Sequence, residues 1–203
     1  MSRENIFAKV QQALTAVPQK AEYPAYELEQ LHSLPKLEGS DLWEIFARNF
    51  RGVNGKPMRS LAELIEFLQK SGHTCGYCDP ALMSTVGEAL RGAGLTVEDV
   101  YDRTQYDRYQ FGVTRASGLI AESGSVILDD FLTSDRLAAL SPWVHVAVAE
   151  SATIHRTITD AIEKLGTAPN TTWCTGPSKT ADVEGILIEG VHGPGEQIAL
   201  CLR

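Results

Sequence analysis

Two glycine-proline turns near the carboxyl terminus, TGPSKTADVEG (175–185) and HGPG (192–195), bring Ser178, Lys179, Asp182 and His192 close together in sequence. Ser178, His192 and Asp182 are the residue types of a hydrolytic triad. Their spacing speaks against one. GPSKT is not the G-x-S-x-G elbow that exposes a nucleophile, and an aspartate four residues after the serine suits a cap or a first helical turn. A second chemistry is a small-anion cradle. A loop between a strand and a helix points free N–H groups outward; Gly176 would allow close approach, and Ser178 and Thr180 would add hydroxyl donors. The spacing of a Walker loop is absent. A proline-stiffened turn with Ser178 as a structural cap accounts for the same residues, so both readings stand at this point.

A third group is HTCGYCD, residues 73–79. C-x-x-C beside a histidine binds zinc or works as a dithiol in some proteins. A structural zinc needs four ligands, and no second pair with suitable spacing follows. The simpler reading is a glycine turn with two small apolar thiols, so no metal site is expected. Glu122 stands in the apolar stretch IAESGS, where burying it unpaired would be costly; it either faces solvent or meets a cation, and Arg115 and Arg136 are the nearest ones in sequence. His145, flanked by apolar residues, reads as a satisfied core side chain, and His32 and His155 as surface positions.

These groups need elements to hold them. Residues 4–16 read as a helix with Ile6, Phe7, Val10 and Leu14 on one face, and residues 18–39, with three prolines, as a linker. The expected division is therefore 1–39, an N-terminal helix and linker, and 40–203, one α/β domain. A helix is expected from Asp41 to about Gly52. SLAE (60–63) is a capping box opening another, and Asp79-Pro80 starts a third. GLIAESGSVILDD reads as two strands joined at Ser123-Gly124. WVHVAVAE (143–150) is too apolar to be half exposed and reads as a central parallel strand. A helix from Thr153, a strand TTWCT, a short helix through ADVEGILI and a closing strand QIALCL complete a strand–helix alternation that implies a parallel sheet covered on both faces. In such a sheet, ligands sit at the carboxyl ends of the strands. Ser178, Asp182, His192 and Glu122 are expected to converge there.

A chain of 203 residues is long enough to bury a large core without staples, and its net charge of −8, with no basic block, argues against phosphate-driven nucleic-acid binding. No run reaches the roughly 20 apolar residues of a membrane span, and no apolar leader core opens the chain. Four cysteines in a chain of this length form no disulfide framework, and Cys174 and Cys201 sit in apolar runs. A cytoplasmic, reduced protein is expected.

GVTRASGLIAESGSVIL, RLAALSPWVHVAV and TGPSKTADVEGILIEGVHGPGEQIALCL, in that order, resemble the lactate-utilisation protein C, or LUD-domain, family. The similarity is firm over about 110–203 and looser over 40–110. The family's A-E-T-G-T stands here as AESGS, its arginine pair as Asp135-Arg136, and its frequent basic residue after H-G-P as Gly195. The resemblance implies a three-layer α/β sandwich with a mainly parallel sheet, related to the ribose-5-phosphate isomerase and CoA-transferase group. It also implies membership of a three-component system oxidising L-lactate to pyruvate, in which cysteine-rich sibling subunits carry the iron–sulfur clusters. No resident cofactor is expected here. On the matching positions, His192, Glu122 and Asp182 become the catalytic candidates, and Gly176, Ser178, Thr180, Arg136 and Thr114 the candidates for binding a small carboxylate. The alternative is a non-catalytic assembly subunit that docks an iron–sulfur partner.

Overall fold

The computed structural model describes residues 2–15, 34–164, 166, 168–181 and 184–202. The chain separates into two compact units, Met1–His32 and Ser33–Arg203. Within the first, helix α1 (Arg3–Thr15) carries Ile6, Phe7, Val10 and Leu14, all about half exposed.

The second unit is built on a six-stranded sheet, all of it parallel. Its strands are β1 (Lys56–Met58), β2 (Cys75–Cys78), β3 (Thr96–Glu98), β4 (Phe111–Arg115), β7 (Val144–Glu150) and β12 (Glu196–Leu202), in the spatial order β1-β12-β7-β4-β2-β3. The apolar run of β7 places it near the middle, between β12 and β4. Strand alternation sends its residues to two separate cores. Val144, Val146 and Val148 join Ile198, Leu200, Phe111 and Val113 on one face, while Ala147 and Ala149 join Ala199 and Cys201 on the other. The first face is covered by helix α3 (Leu61–Lys70) and a segment that passes from a 3-10 turn (Pro80–Leu82) through a π-helical stretch (Met83–Gly87) into α4 (Glu88–Gly92). The second is covered by α2 (Leu42–Gly52), by α5 (Arg136–Leu140) and by a smaller sheet. The result is the three-layer α/β sandwich with a mainly parallel sheet.

The capping residues behave as their types predict. Asp41 accepts from the N–H groups of Trp43 and Glu44 at the start of α2. Ser60 Oγ accepts from Glu63 N–H at 3.1 Å, and Glu63 reaches back to Arg59 N–H rather than to Ser60.

Three expectations fail, all in the carboxyl-terminal third. The smaller sheet has the order β8-β5-β6-β9, formed by β5 (Gly118–Ile120), β6 (Ser125–Asp129), β8 (Ile154–His155) and β9 (Thr171–Cys174). TTWC is therefore an antiparallel neighbour of β6 and no strand of the parallel sheet. Ile154, expected on a helix, instead pairs with Leu119, and the helix α6 begins later, at Ile158. The helix expected through ADVEGILI is replaced at its ends by strands: Lys179–Ala181 (β10) and Leu187–Glu189 (β11) pair antiparallel. Residues 182–183 lie outside the described residues. β-branched, apolar runs of three or four residues fit a helix face or a strand equally well by period. Here the hydrogen bonds to β5, β6 and β11 decide.

A buried polar chain crosses the core. Thr114 Oγ1 and His145 Nε2 are 2.8 Å apart, and His145 Nδ1 meets the Gln197 side-chain amide on the other side at 2.9–3.1 Å. The three residues sit on adjacent strands β4, β7 and β12, fully or almost fully buried. Burial pushes the His145 imidazole down to about 4, against the smaller opposing effect of its bond to Gln197. His145 is thus the satisfied core histidine its neighbours in sequence suggest.

Candidate functional site

The site is best built from α2. At its end, Asn49 Nδ2 donates to the carbonyls of Ala121 and Glu122, at 2.7 and 3.3 Å, fixing the turn between β5 and β6. Gly124 in that turn has φ +63, and a side chain there would strike the backbone of Asn49 and Phe50. Gly176 repeats the arrangement. Its φ is +76, and a Cβ would stand 2.1 Å from the Val53 carbonyl. Both glycine turns are therefore pressed onto one helix end, and a chain of hydroxyls joins them: Ser123 Oγ to Ser125 Oγ, and Ser125 Oγ to Thr175 Oγ1, each at 2.7 Å.

From Gly176 the chain runs directly to the second glycine-proline turn. Ser178 N–H donates to the Pro194 carbonyl, and Gly190 N–H donates to the Ser178 carbonyl, both at 2.9 Å. A Cβ on Gly193 would lie 3.2 Å from Ser178 Oγ. Ser178 and the turn that carries His192 form one unit, with Ser178 half-buried and His192 exposed. The unit lies at the amino-terminal edge of the parallel sheet, because β12 starts immediately after it at Glu196. The expected location at the carboxyl ends is corrected. That expectation needed β9 in the main sheet, and β9 lies in the smaller one.

The remaining candidates are dispersed. Glu122 is buried, and its Oε2 accepts from Ile158 N–H at 3.0 Å, at the start of α6. Thr114 is fully buried against His145, out of reach of any solute. Its assignment to ligand binding is replaced by a role in the core. Thr180 lies on β10 opposite Ile188. Arg136 borders a different cleft of about 400 Å³, with Arg103, Thr133 and Ser134, and its Nε is 3.3 Å from Asp130 Oδ1. Gly176 has no room for a ligand on the side it turns to Val53, and the Ser178 N–H is already used, so two of the expected anion-binding groups serve the turn itself. Asp182 lies outside the described residues.

Beside the joined turns is a cleft of about 460 Å³ lined by His73, Tyr106, Asp107, Tyr109, Gln110, Ser141, Trp143, Gly190 and Gly193. Two of its residues, Gln110 and Trp143, carry no functional signal in the sequence. Gln110 precedes β4 and reads as an ordinary strand lead-in. Trp143 precedes β7 and reads as core. His73 reads as a companion of the C-x-x-C. The structure gives each a defined place. Gln110 Oε1 accepts from the N–H groups of Thr74 and Cys75 at 2.6 and 3.1 Å. Trp143 lies on Gly190 and Gly195, where a Cβ would meet its ring at 2.5 and 2.3 Å respectively. Partial burial lowers the His73 pKa, with Glu196 acting in the opposite sense.

The C-x-x-C does not form a site. Cys75 and Cys78 open and close β2, an extended strand that sends them to opposite faces. Three strand steps separate their Cα atoms by about 10 Å, beyond the roughly 4.4–6.8 Å that a disulfide spans. Burial, with Asp79 adding to it, pushes the Cys78 thiol up to about 12, and burial pushes Cys174 up to about 11. Among the described residues no group of three or more His, Cys, Asp or Glu side chains is placed to hold a metal. The expected result is that Cys78 and Cys174 resist iodoacetamide at pH 7 in the native protein and react after denaturation, and that replacing Cys75 and Cys78 with serine leaves zinc content unchanged. About one zinc per chain, lost in the double variant, would contradict this.

No helix among the described residues is long and apolar enough to cross a membrane. The family model described as LUD domain matches residues 62–201. A lactate utilization protein C from Deinococcus radiodurans is 32% identical over 121 residues, 57% of this chain and 55% of that protein. A protein of the same name from Macrococcus caseolyticus is 33% identical over 96 residues, 43% of this chain and 42% of that one. The chain spans about half the length of these curated relatives. The crystal structure of a DUF162 family protein from Deinococcus radiodurans superposes with a TM-score of 0.54 at 21% identity, covering 89% of this chain and all of that one. This likeness shows the fold.

Proposed function

Since the chain belongs to the LUD-domain family, as its match over residues 62–201 shows, we propose that it serves lactate utilisation as the non-iron–sulfur subunit of a system oxidising L-lactate to pyruvate. In this reading a small carboxylate binds at the joined turns. The observation that carries it is the pairing of Ser178 with the Pro194 and Gly190 backbone. That pairing holds Ser178 against the histidine-bearing turn, whose Gly193 lines the neighbouring cleft. A hydroxyl donor and an imidazole suit a 2-hydroxycarboxylate: the donor binds the carboxylate, and the imidazole is the base for the hydroxyl proton. The oxidation also breaks the C2–H bond: in this reading that hydrogen leaves as a proton to solvent and the two electrons pass to the iron–sulfur siblings, the four cysteines here being dispersed and two of them buried.

A second reading, an assembly subunit, is favoured by a different observation. Leu137, Leu140 and Trp143 beside α5, and Ile186, Leu187 and Ile188 on the hairpin, are exposed apolar side chains. Exposed apolar surface of this kind suits a protein partner. Reconstitution separates the two. L-lactate-dependent dye reduction by the iron–sulfur subunits is measured with and without this chain, then with Ser178→Ala, His192→Ala and Leu187→Asp. The carboxylate reading expects the first two variants to fall roughly tenfold or more while still co-purifying with the partners. Loss of association in Leu187→Asp, with full activity in Ser178→Ala and His192→Ala, would replace it with the assembly reading.

A further inference from the structure

The cleft beside the turns is equipped for something other than a carboxylate. Trp143 is pinned by its benzo ring on the backbones of Gly190 and Gly195, yet 49% of its surface remains exposed, and it lines the cleft. A large aromatic face held rigidly and left half bare is a stacking platform. Gln110 supplies orientation. Its Oε1 is committed to Thr74 N–H, Cys75 N–H and Thr74 Oγ1. That fixes the amide, and its Nε2 donors have no partner among the described residues. Asp107, also on the cleft wall and exposed, supplies an acceptor of the opposite kind.

We propose that this cleft binds a planar, uncharged ring with an amide edge, stacked on Trp143, its carbonyl accepting from Gln110 and its N–H donating to Asp107. Shape and charge both select this class. A donor and an acceptor on the wall complement the C=O and N–H that an amide presents side by side, whereas a carboxylate there would face Asp107. Two ring chemistries carry such an edge, a carboxamide on a six-membered ring and a cyclic imide. The inference uses neither Ser178 nor His192 and goes beyond the carboxylate reading.

The test uses the full chain, labelled with 15N, and follows its three tryptophan indole N–H signals, from Trp43, Trp143 and Trp173. Nicotinamide and uracil are the probes for the two ring chemistries, and benzyl alcohol is the ring without an amide. The expected result is saturable movement of the Trp143 signal with nicotinamide, uracil or both. Which one binds identifies the chemistry. Gln110→Glu keeps the acceptor that Thr74 and Cys75 use and removes the donor, and it should weaken binding at least about fivefold. Trp143→Leu, checked for native folding by its remaining indole signals, should weaken it by a similar factor or more. No movement with either probe would overturn the proposal. So would benzyl alcohol binding as well as they do, or unchanged affinity in Gln110→Glu. L-lactate titrated in parallel keeps the two readings apart, because its binding should depend on Ser178 and His192 and not on Gln110.

Discussion

Acidification from pH 7 to pH 4 should cost the protein about 3 kcal/mol through His145 alone. The unfolded imidazole titrates near 6.5, and in the fold it is held at about 4 by burial. Between those values the unfolded chain takes up a proton that the folded one refuses. The stability is therefore fully present above about pH 6.5, declines as the pH falls, and levels off below about 4, where both states are protonated. The ring's bonded neighbours are a threonine and a glutamine, neither of which titrates. Urea unfolding across this range should show the loss, and His145→Gln should remove most of its slope while lowering stability at pH 7. An identical slope in the variant would assign the acid sensitivity to the carboxylates instead.

Gly112→Ala should be among the most damaging single substitutions available. Gly112 lies in β4 directly under α5, and a Cβ there would stand 1.8 Å from the Ala138 carbonyl and 2.9 Å from its carbon. The obstacle is backbone, so no rotamer change relieves it. The helix must lift. Overpacking of this kind costs up to about 3 kcal/mol, which for a chain of this size lowers the melting temperature by roughly 6–12 °C. The consequences extend to the cleft, because Ser141, which follows α5, is bonded to Tyr101, and Trp143 comes two residues later. Gly92→Ala is the control. It ends α4 with nothing within 4 Å of its Cβ and no positive φ, so it should be neutral or slightly stabilising. Equal losses at the two positions would mean that contact with α5 is not the cause.

Where local chemistry decides, the sequence is readable. Asp41, Ser60 and Asp79 start their helical segments as capping residues must, and the run of β7, apolar between His145 and Glu150, fits a strand buried on both faces. The hairpin at Ser123-Gly124 follows from a glycine between two apolar runs. Which sheet a short strand joins is a different matter. TTWC and Ile154 are chosen by partners 48 and 35 residues away in sequence, as the pairs Val126–Cys174 and Leu119–Ile154 show, and no local period encodes that. The site divides the same way. Turns rich in glycine, proline and serine draw attention to Ser178 and His192, and the fold explains the glycines by close contacts with Val53, Phe50 and Trp143. Gln110 and Trp143 were illegible because their value lies in what fixes them. A glutamine whose acceptor is occupied, and a tryptophan stacked on two glycines, look in sequence like any other glutamine and tryptophan.

The placement of the ligand site at the amino-terminal edge is the claim on which the functional reading depends. Parallel α/β sheets ordinarily hold ligands at the opposite edge, where Arg115 Nε approaches Asp79 Oδ2 at 3.4 Å and would be the natural anchor for an anion. Backbone and side-chain NMR of the full chain, titrated with L-lactate, tests the two edges at once. Saturable shifts are expected at Ser178, His192 and Gly193, with Asp79 and Arg115 unmoved. Shifts confined to Asp79, Arg115 and their neighbours, or none anywhere at saturating lactate, would contradict that placement.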